Sequence, residues 1–370
     1  MLNFGAVHRR RRLGILPVVL LALVAACEPA TGPGARNQLD ARAALEDYQA
    51  MEQVFSTTGW TSFQALSGRT SLSVGAAAAA MRELPQFASA ESGRPFVARF
   101  FRDLATSRTA DPVLARTVIS NRHLGKTFVY DASSDEWVID PQRPGAPANG
   151  VRFVLYEVGS DGRPIPSKEV GYADLLDEGA NTGSAVVLRL IVVERGITLV
   201  DYRARVDFQV GKGQIDVDGY VQNREGTRLT FTVNATGKDV SGETRIDADF
   251  LLKLSPRNFE ATGAVRGVAE GNGSGGQVDL TVKHGSNSLR VDVADNAGML
   301  DGVVYLNSAT FATVTGPAGN PTLRGPTGEP LSPDQLRLLH ALMHMVDDVF
   351  DLIENLVEPV EKLLLLGWIL

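Results

Sequence analysis

The sequence predicts a β-rich α+β fold: a wide, curved antiparallel β-meander, a half-barrel or open barrel, with N-terminal helices and a long C-terminal helix packed on it. Three observations predict it. Between Lys126 and Val314 apolar and polar residues alternate at a period of two, the mark of strands with one buried and one wet face. Short Gly-, Asn- and Asp-rich runs separate these stretches, and connections that short join antiparallel neighbours. Before residue 123 and after residue 330 the apolar spacing shifts to three and four, which is helical.

The first element, residues 1–26, has the build of an export signal. Arg9 to Arg12 form a basic start without an acid, and an apolar run from Ile15 to Ala26 follows, broken only by Pro17. That run is well short of the roughly 20 residues that span a bilayer as a helix. Val24-Ala25-Ala26 then leads into Cys27, the only cysteine. This arrangement resembles the lipobox of bacterial lipoproteins. The resemblance implies cleavage after Ala26 and a lipid on the Cys27 thiol, which anchors the chain to a membrane. It covers only the first 27 residues. The competing reading, an ordinary secretion signal with a chance cysteine, would leave a lone reactive thiol in an exported protein. By resemblance to lipoprotein sorting rules of some Gram-negative bacteria, in which an aspartate there favours retention, Glu28 implies an outer-membrane location facing the periplasm or the cell surface.

Residues 27–39 read as a flexible tether, because Pro29, Gly32, Pro33 and Gly34 suit neither a helix nor a central strand. Residues 40–122 read as helical. Asp40 can cap a helix on which Leu45, Tyr48, Met51 and Phe55 recur at spacings of three and four. Ala76 to Ala80 is a strong helix-forming run, and Pro95 opens a segment carrying Phe96, Val97, Phe100 and Phe101.

The β-meander spans 123–330. Thr127 to Tyr130, Trp137 to Ile139 and Val151 to Val158 are its first strands, and Asp161-Gly162 is a hairpin turn. Further on, Tyr202, Ala204, Val206 and Phe208 face one way while Arg203, Arg205 and Asp207 face the other. The same code recurs through Ile215 to Val221, Leu229 to Val233, Ile246 to Leu252, Val278 to Val282 and Leu289 to Val293. A sheet of roughly a dozen strands tends to curl, close or split. Alternation also fits a transmembrane barrel, but aromatics are only 7% and form no girdles.

Residues 331–370 read as an amphipathic helix and an apolar tail. Ser332-Pro333-Asp334-Gln335 has a serine cap, proline at the first position and glutamine three after the cap. Leu339, Leu342, Val346, Val349, Ile353, Leu356 and Val360 follow as one stripe until Pro359 intervenes, and the chain ends in an apolar run from Leu363 to Leu370. A lone stripe after a large sheet is expected to pack on that sheet, with 40–370 as one domain; a coiled coil is the alternative.

The chemistry search is largely negative. Gly125-Lys126-Thr127 lacks the first glycine of a phosphate loop, where Ser120 stands, and precedes a strand. Gly271 to Gly276 matches a dinucleotide fingerprint in letters but also runs into a strand. His340 and His344, one helical turn apart with Asp347 and Asp348 beyond them, are candidate metal ligands. The competing reading makes them the polar edge of the helix. The sheet acids Asp216, Asp218, Asp247, Asp249, Asp279 and Asp292, with Arg245, Lys283 and Arg290 among them, read as cross-strand ion pairs. His123 and His284 sit beside turns.

A net charge of −7, more acidic once Arg9 to Arg12 are removed, argues against nucleic acid as a partner. No cofactor motif is present. The layout is similar to the periplasmic lipoprotein-carrier half-barrels, in which a curved sheet with helices in its mouth holds acyl chains. That likeness is architectural, carries no residue motif, and implies a non-catalytic protein that binds a hydrophobic or lipid ligand, or an envelope protein partner. A structural surface protein and a metal-dependent enzyme using His340 and His344 are the alternatives.

Overall fold

One-sided strands must lie side by side with their apolar faces turned the same way, and that requirement organises the chain. The computed structural model describes residues 46, 50, 51, 53–69, 119, 121–179, 185–209, 212–240, 243–268, 275–317, 320–333, 335, 336 and 339. They form a 15-stranded, mostly antiparallel sheet that does not close. The strands are β1 (Lys126–Asp131), β2 (Glu136–Ile139), β3 (Gly150–Val158), β4 (Pro164–Asp177), β5 (Ala185–Glu194), β6 (Ile197–Gln209), β7 (Lys212–Gln222) and β8 (Arg228–Val240). They continue as β9 (Glu243–Ser255), β10 (Phe259–Val268), β11 (Gly275–His284), β12 (Asn287–Asn296), β13 (Met299–Leu306), β14 (Ala309–Pro317) and β15 (Thr322–Arg324).

From β3 to β15 the spatial order is the chain order, each strand pairing antiparallel with the next. The exception is at the other edge, where β1 lies parallel to β3 and carries β2 on its outer side. Residues 140–149 therefore pass the end of β1 before β3 begins. Both edge strands are short, a common way to limit edge-to-edge pairing.

The register lines up like with like across the sheet. One row runs Leu190, Tyr202, Gly219, Phe231, Leu252, Ala261, Val282, Leu289 and Leu306 from β5 to β13. Leu188, Ala204, Val217, Val233, Phe250, Gly263, Leu280, Val291, Val304 and Ala312 form the next row, from β5 to β14. A third includes Val206, Ile215, Ala235, Ala248, Val265, Val278 and Val293. Apart from Gly219 and Gly263, which are partly exposed, the residues named in these rows are buried and belong to one core. The residues between the rows are mainly charged or hydroxylated. A slip of one residue in any pair would turn that strand's apolar set to water, so the alternation fixes the register.

Helix α1 (Thr58–Arg69) packs on β3, β4 and β5. Trp60, Phe63 and Leu66, three residues apart, bury one face of it, and Ala50, Met51 and Val54 join the same core. At the other end of the chain the expected cap is in place. Gln335 N donates to Ser332 Oγ at 3.2 Å, and Ser332 N donates to Gln335 Oε1 at 2.8 Å. Pro333, Gln335, Leu336 and Leu339 are helical, and Leu331 and Leu339 are buried in the sheet's core. The helix stripe beyond Leu339 lies outside the described residues, as do the expected signal, the tether and the alanine run.

Gly219 is where the central rows depend on a missing side chain. Its φ is +154°, and a Cβ there would lie 2.3 Å from Tyr202 Cβ and 2.4 Å from Asp201 O. Gly219→Ala should destabilise the fold by roughly 2–3 kcal/mol, through strain and forced separation of β6 and β7. Urea titration checks this: the expected result is a lower midpoint with little change in slope.

Candidate functional site

The inner face of the sheet is almost entirely hydrocarbon, and its one polar interruption in the three rows is Tyr202. Its side chain is buried, and its ring meets Phe231 edge-on with centroids 5.7 Å apart. The hydroxyl is enclosed and has no hydrogen-bond partner among the described residues. Burial pushes the phenol pKa far above its ordinary value, so the group remains a neutral donor. A buried hydroxyl without a partner forfeits its hydration and gains nothing in return.

At the β3–β5 end, α1 is held by two hydrogen bonds, and each leaves the sheet at an irregularity. The β3–β4 register shifts on either side of Tyr156, and Tyr156 N donates to Ser62 Oγ at 3.0 Å. A second shift lies between Val192 and Val193 on β5. Val192, Val193 and Glu194 are consecutively buried there, which breaks the period of two. Glu194 thereby reaches the start of α1, where Gly59 N donates to its Oε2 at 2.7 Å. Thr57 Oγ1 accepts from Trp60 N at 3.2 Å, so two of the free N–H groups of the first turn are satisfied. The Arg224 guanidinium stands 4.0 Å from Glu194 Oε1. This arrangement is a docking device for the helix and places no nucleophile beside a base.

The outer face is a lattice of ion pairs, as its composition predicts. Arg189 is bidentate on Asp201, with both contacts at 2.8 Å, and Arg203 Nε meets Glu178 Oε2 at 2.6 Å. Asp247 and Asp249 share Arg266, from the neighbouring strand, whereas Arg245 is exposed. Asp279 and Asp292 stand directly opposite each other, which alone would be repulsive. Arg290 lies 2.6 Å from Asp292 Oδ2 and 3.9 Å from Asp279 Oδ1, offsetting that repulsion. Gln214 donates to Asp216, and Asp218 pairs in register with Arg203. Lys253 and Lys283 flank Glu260, and the hydrogen bond from Lys253 leads in holding its carboxyl below the ordinary glutamate range.

His123 sits in the turn before β1, receives Arg122 Nε at 2.7 Å and lies against Phe128. Burial first, and the Arg122 charge second, lower its pKa. His284 ends β11. Among the described residues no group of three or more His, Cys, Asp or Glu is placed to hold a metal ion. Cys27, Ala26, His340, His344, Asp347 and Asp348 lie outside the described residues. Among the described residues no helix is long and apolar enough to cross a membrane. No protein-family profile, curated protein or solved structure matches the chain.

Two outcomes follow. Glu194→Ala should cost about 2 kcal/mol, because the Gly59 N–H is left buried without an acceptor. Acrylamide quenching should then reach Trp60 more readily. Glu260 contributes its full stabilisation above the ordinary glutamate range and loses it as pH falls through its lowered folded value. Glu260→Gln should therefore flatten the acid limb of the pH–stability curve slightly, the pair being at the surface.

Proposed function

We propose that this chain is a lipid-anchored protein of the bacterial envelope that holds a hydrophobic or lipid ligand against the inner face of its sheet, without catalysing a reaction on it. The observation that carries this is the face itself: in-register apolar rows extending over β5 to β14, interrupted by one hydroxyl. A sheet needing only stability could bury such a face against a second sheet. Here every strand of the described residues belongs to one hydrogen-bonded sheet, and no second sheet is present among them.

In this reading the sheet curves as a half-barrel, and the segment that starts at Pro333 continues as a helix across its mouth. Burial of Leu331 and Leu339 with the sheet residues supports that course. So does the stripe Leu342, Val346, Val349, Ile353, Leu356 and Val360, which extends the face begun by Leu339. Export and anchoring rest on Arg9 to Arg12, the apolar run and Cys27, and Glu28 favours the outer membrane. Two or more acyl chains on Cys27 would hold the protein stably where a single one would not.

Organic extraction of the purified chain, followed by mass spectrometry, should release a co-purifying lipid beyond that on the anchor. A chain that yields none and binds no polarity-sensitive dye overturns the ligand reading. Expression of Cys27→Ser with labelled fatty acid should abolish label incorporation and leave the chain without its lipid anchor; retained label would remove the anchor from the proposal.

A further inference from the structure

We infer that one end of the sheet is a docking edge for an anionic phospholipid surface, with Arg195, Arg224 and Arg257 as its contacts. In an in-register antiparallel meander every second turn falls at the same end. The β5–β6, β7–β8 and β9–β10 turns therefore lie together along one edge. Arg195, Arg224 and Arg257 occupy these three turns, and all three are exposed. Turns two strands apart stand about 10 Å from one another, so the edge carries a row of cations about 20 Å long. Behind them, Arg228, Lys253 and Lys283 are exposed as well. The acids at this end of β5–β12 are largely engaged. Glu194 is buried and accepts from Gly59 N, Asp201 is held by Arg189 at two points, and Glu260 sits between Lys253 and Lys283. Glu225 is exposed. Arg224 stands 4.0 Å from Glu194 Oε1 yet keeps 45% of its side chain in water. The basic stretch stops at β5, because the β1–β2 and β3–β4 turns bring Asp135 and Asp161 to the same end.

The opposite end of the same strands has the other sign. Asp207, Asp216, Asp247, Asp249, Asp279 and Asp292 lie in that half of β6–β12, where acids outnumber cations among the described residues. Strands of 10 and 13 residues, such as β5 and β6, hold the two ends roughly 30–40 Å apart, several Debye lengths at physiological salt. The arginine edge can therefore meet an anionic plane while the acidic end points away, and the net charge of −7 does not oppose the contact. Cations alone would suit any polyanion, and Ile197 decides between them. It pairs in register with Glu194 at this edge and is 37% exposed. An apolar side chain beside a cation gains from the boundary between headgroups and acyl chains, and gains nothing from dissolved phosphate or a nucleic acid. This contact is separate from the lipid on Cys27 and from any ligand on the inner face.

The test uses the full chain carrying Cys27→Ser, so that no lipid anchor contributes. Partition is measured onto phosphatidylcholine vesicles with and without phosphatidylglycerol. Arg9 to Arg12 are common to all variants and cancel in the comparison. Anionic lipid should strengthen binding. The triple variant Arg195→Asn, Arg224→Gln and Arg257→Gln should lose roughly tenfold or more of that gain, since each arginine near an anionic surface is worth about fivefold. Arg195→Asn alone, in a turn at a φ that asparagine tolerates, should lose about fivefold and serves if the triple variant fails to fold. Removing the same charge from the opposite end, by Lys212→Gln, Lys238→Gln and Arg245→Gln, should leave the gain unchanged. Ile197→Ser should weaken binding to both kinds of vesicle. Equal losses from the two triple variants, or no loss from the arginine variants, would overturn the docking edge and leave the Cys27 anchor and the ligand reading as they stand. An unchanged partition for Ile197→Ser would overturn the membrane as the partner, in favour of phosphate in solution.

Discussion

Most strands between β5 and β14 concentrate their apolar residues on one side, and all of these sides have to be withdrawn from water together. That shared demand governs register, topology and the position of everything else. A strand paired one residue out would expose its whole apolar set, and burying an average aliphatic side chain is worth about 1.5–3 kcal/mol. Errors are therefore expensive at every rung, and the rows run straight from strand to strand. The outer face obeys the complementary demand. Charges that would repel along a row, such as Asp279 and Asp292, are interleaved with Arg290, and the pairing settles polarity rather than supplying much stability.

The helix at the β3–β5 end shows how such a sheet accepts a different element. A regular ladder has no free backbone group to offer. The register shifts beside Tyr156 and Val193 create two departures, a backbone N–H turned to Ser62 and a carboxylate turned to Gly59. The irregularities are what allow α1 to be fixed in orientation while its Trp60, Phe63 and Leu66 supply the apolar contact.

Much of this architecture was legible in the residues. The strands around Tyr202, Ile215, Leu229, Ile246, Val278 and Leu289 alternate so cleanly that their pairing partners follow, and the Ser332–Gln335 cap is where its letters place it. Other strands were masked by their own composition. In β5 the run Ala185–Glu194 is nearly continuous in apolar residues, so no period stands out. In β10 Gly263, Ala264 and Gly267 are too small to mark a face, and Phe250 lies over Gly263 in the inward row. In β4, Pro164 and Pro166 open the strand although neither has an amide N–H to give to a ladder. The parallel pairing of β1 with β3 depends on a connection passing the end of a strand, which a period cannot report. Tyr202 was legible as an inward residue. That its hydroxyl would be left alone depends on the neighbours that the register brings beside it, and those belong to other strands.

The strict succession of neighbours from β3 to β15 bears on how the molecule comes into being. Long-range pairing is what slows the assembly of most all-β proteins. Here each new strand from β4 onward needs only the one made just before it, so the sheet can grow by accretion, hairpin upon hairpin, as the chain lengthens. An architecture of that kind is also extensible. Gaining or losing one hairpin in the run would widen or narrow the surface without disturbing the rungs on either side, much as in solenoid repeats.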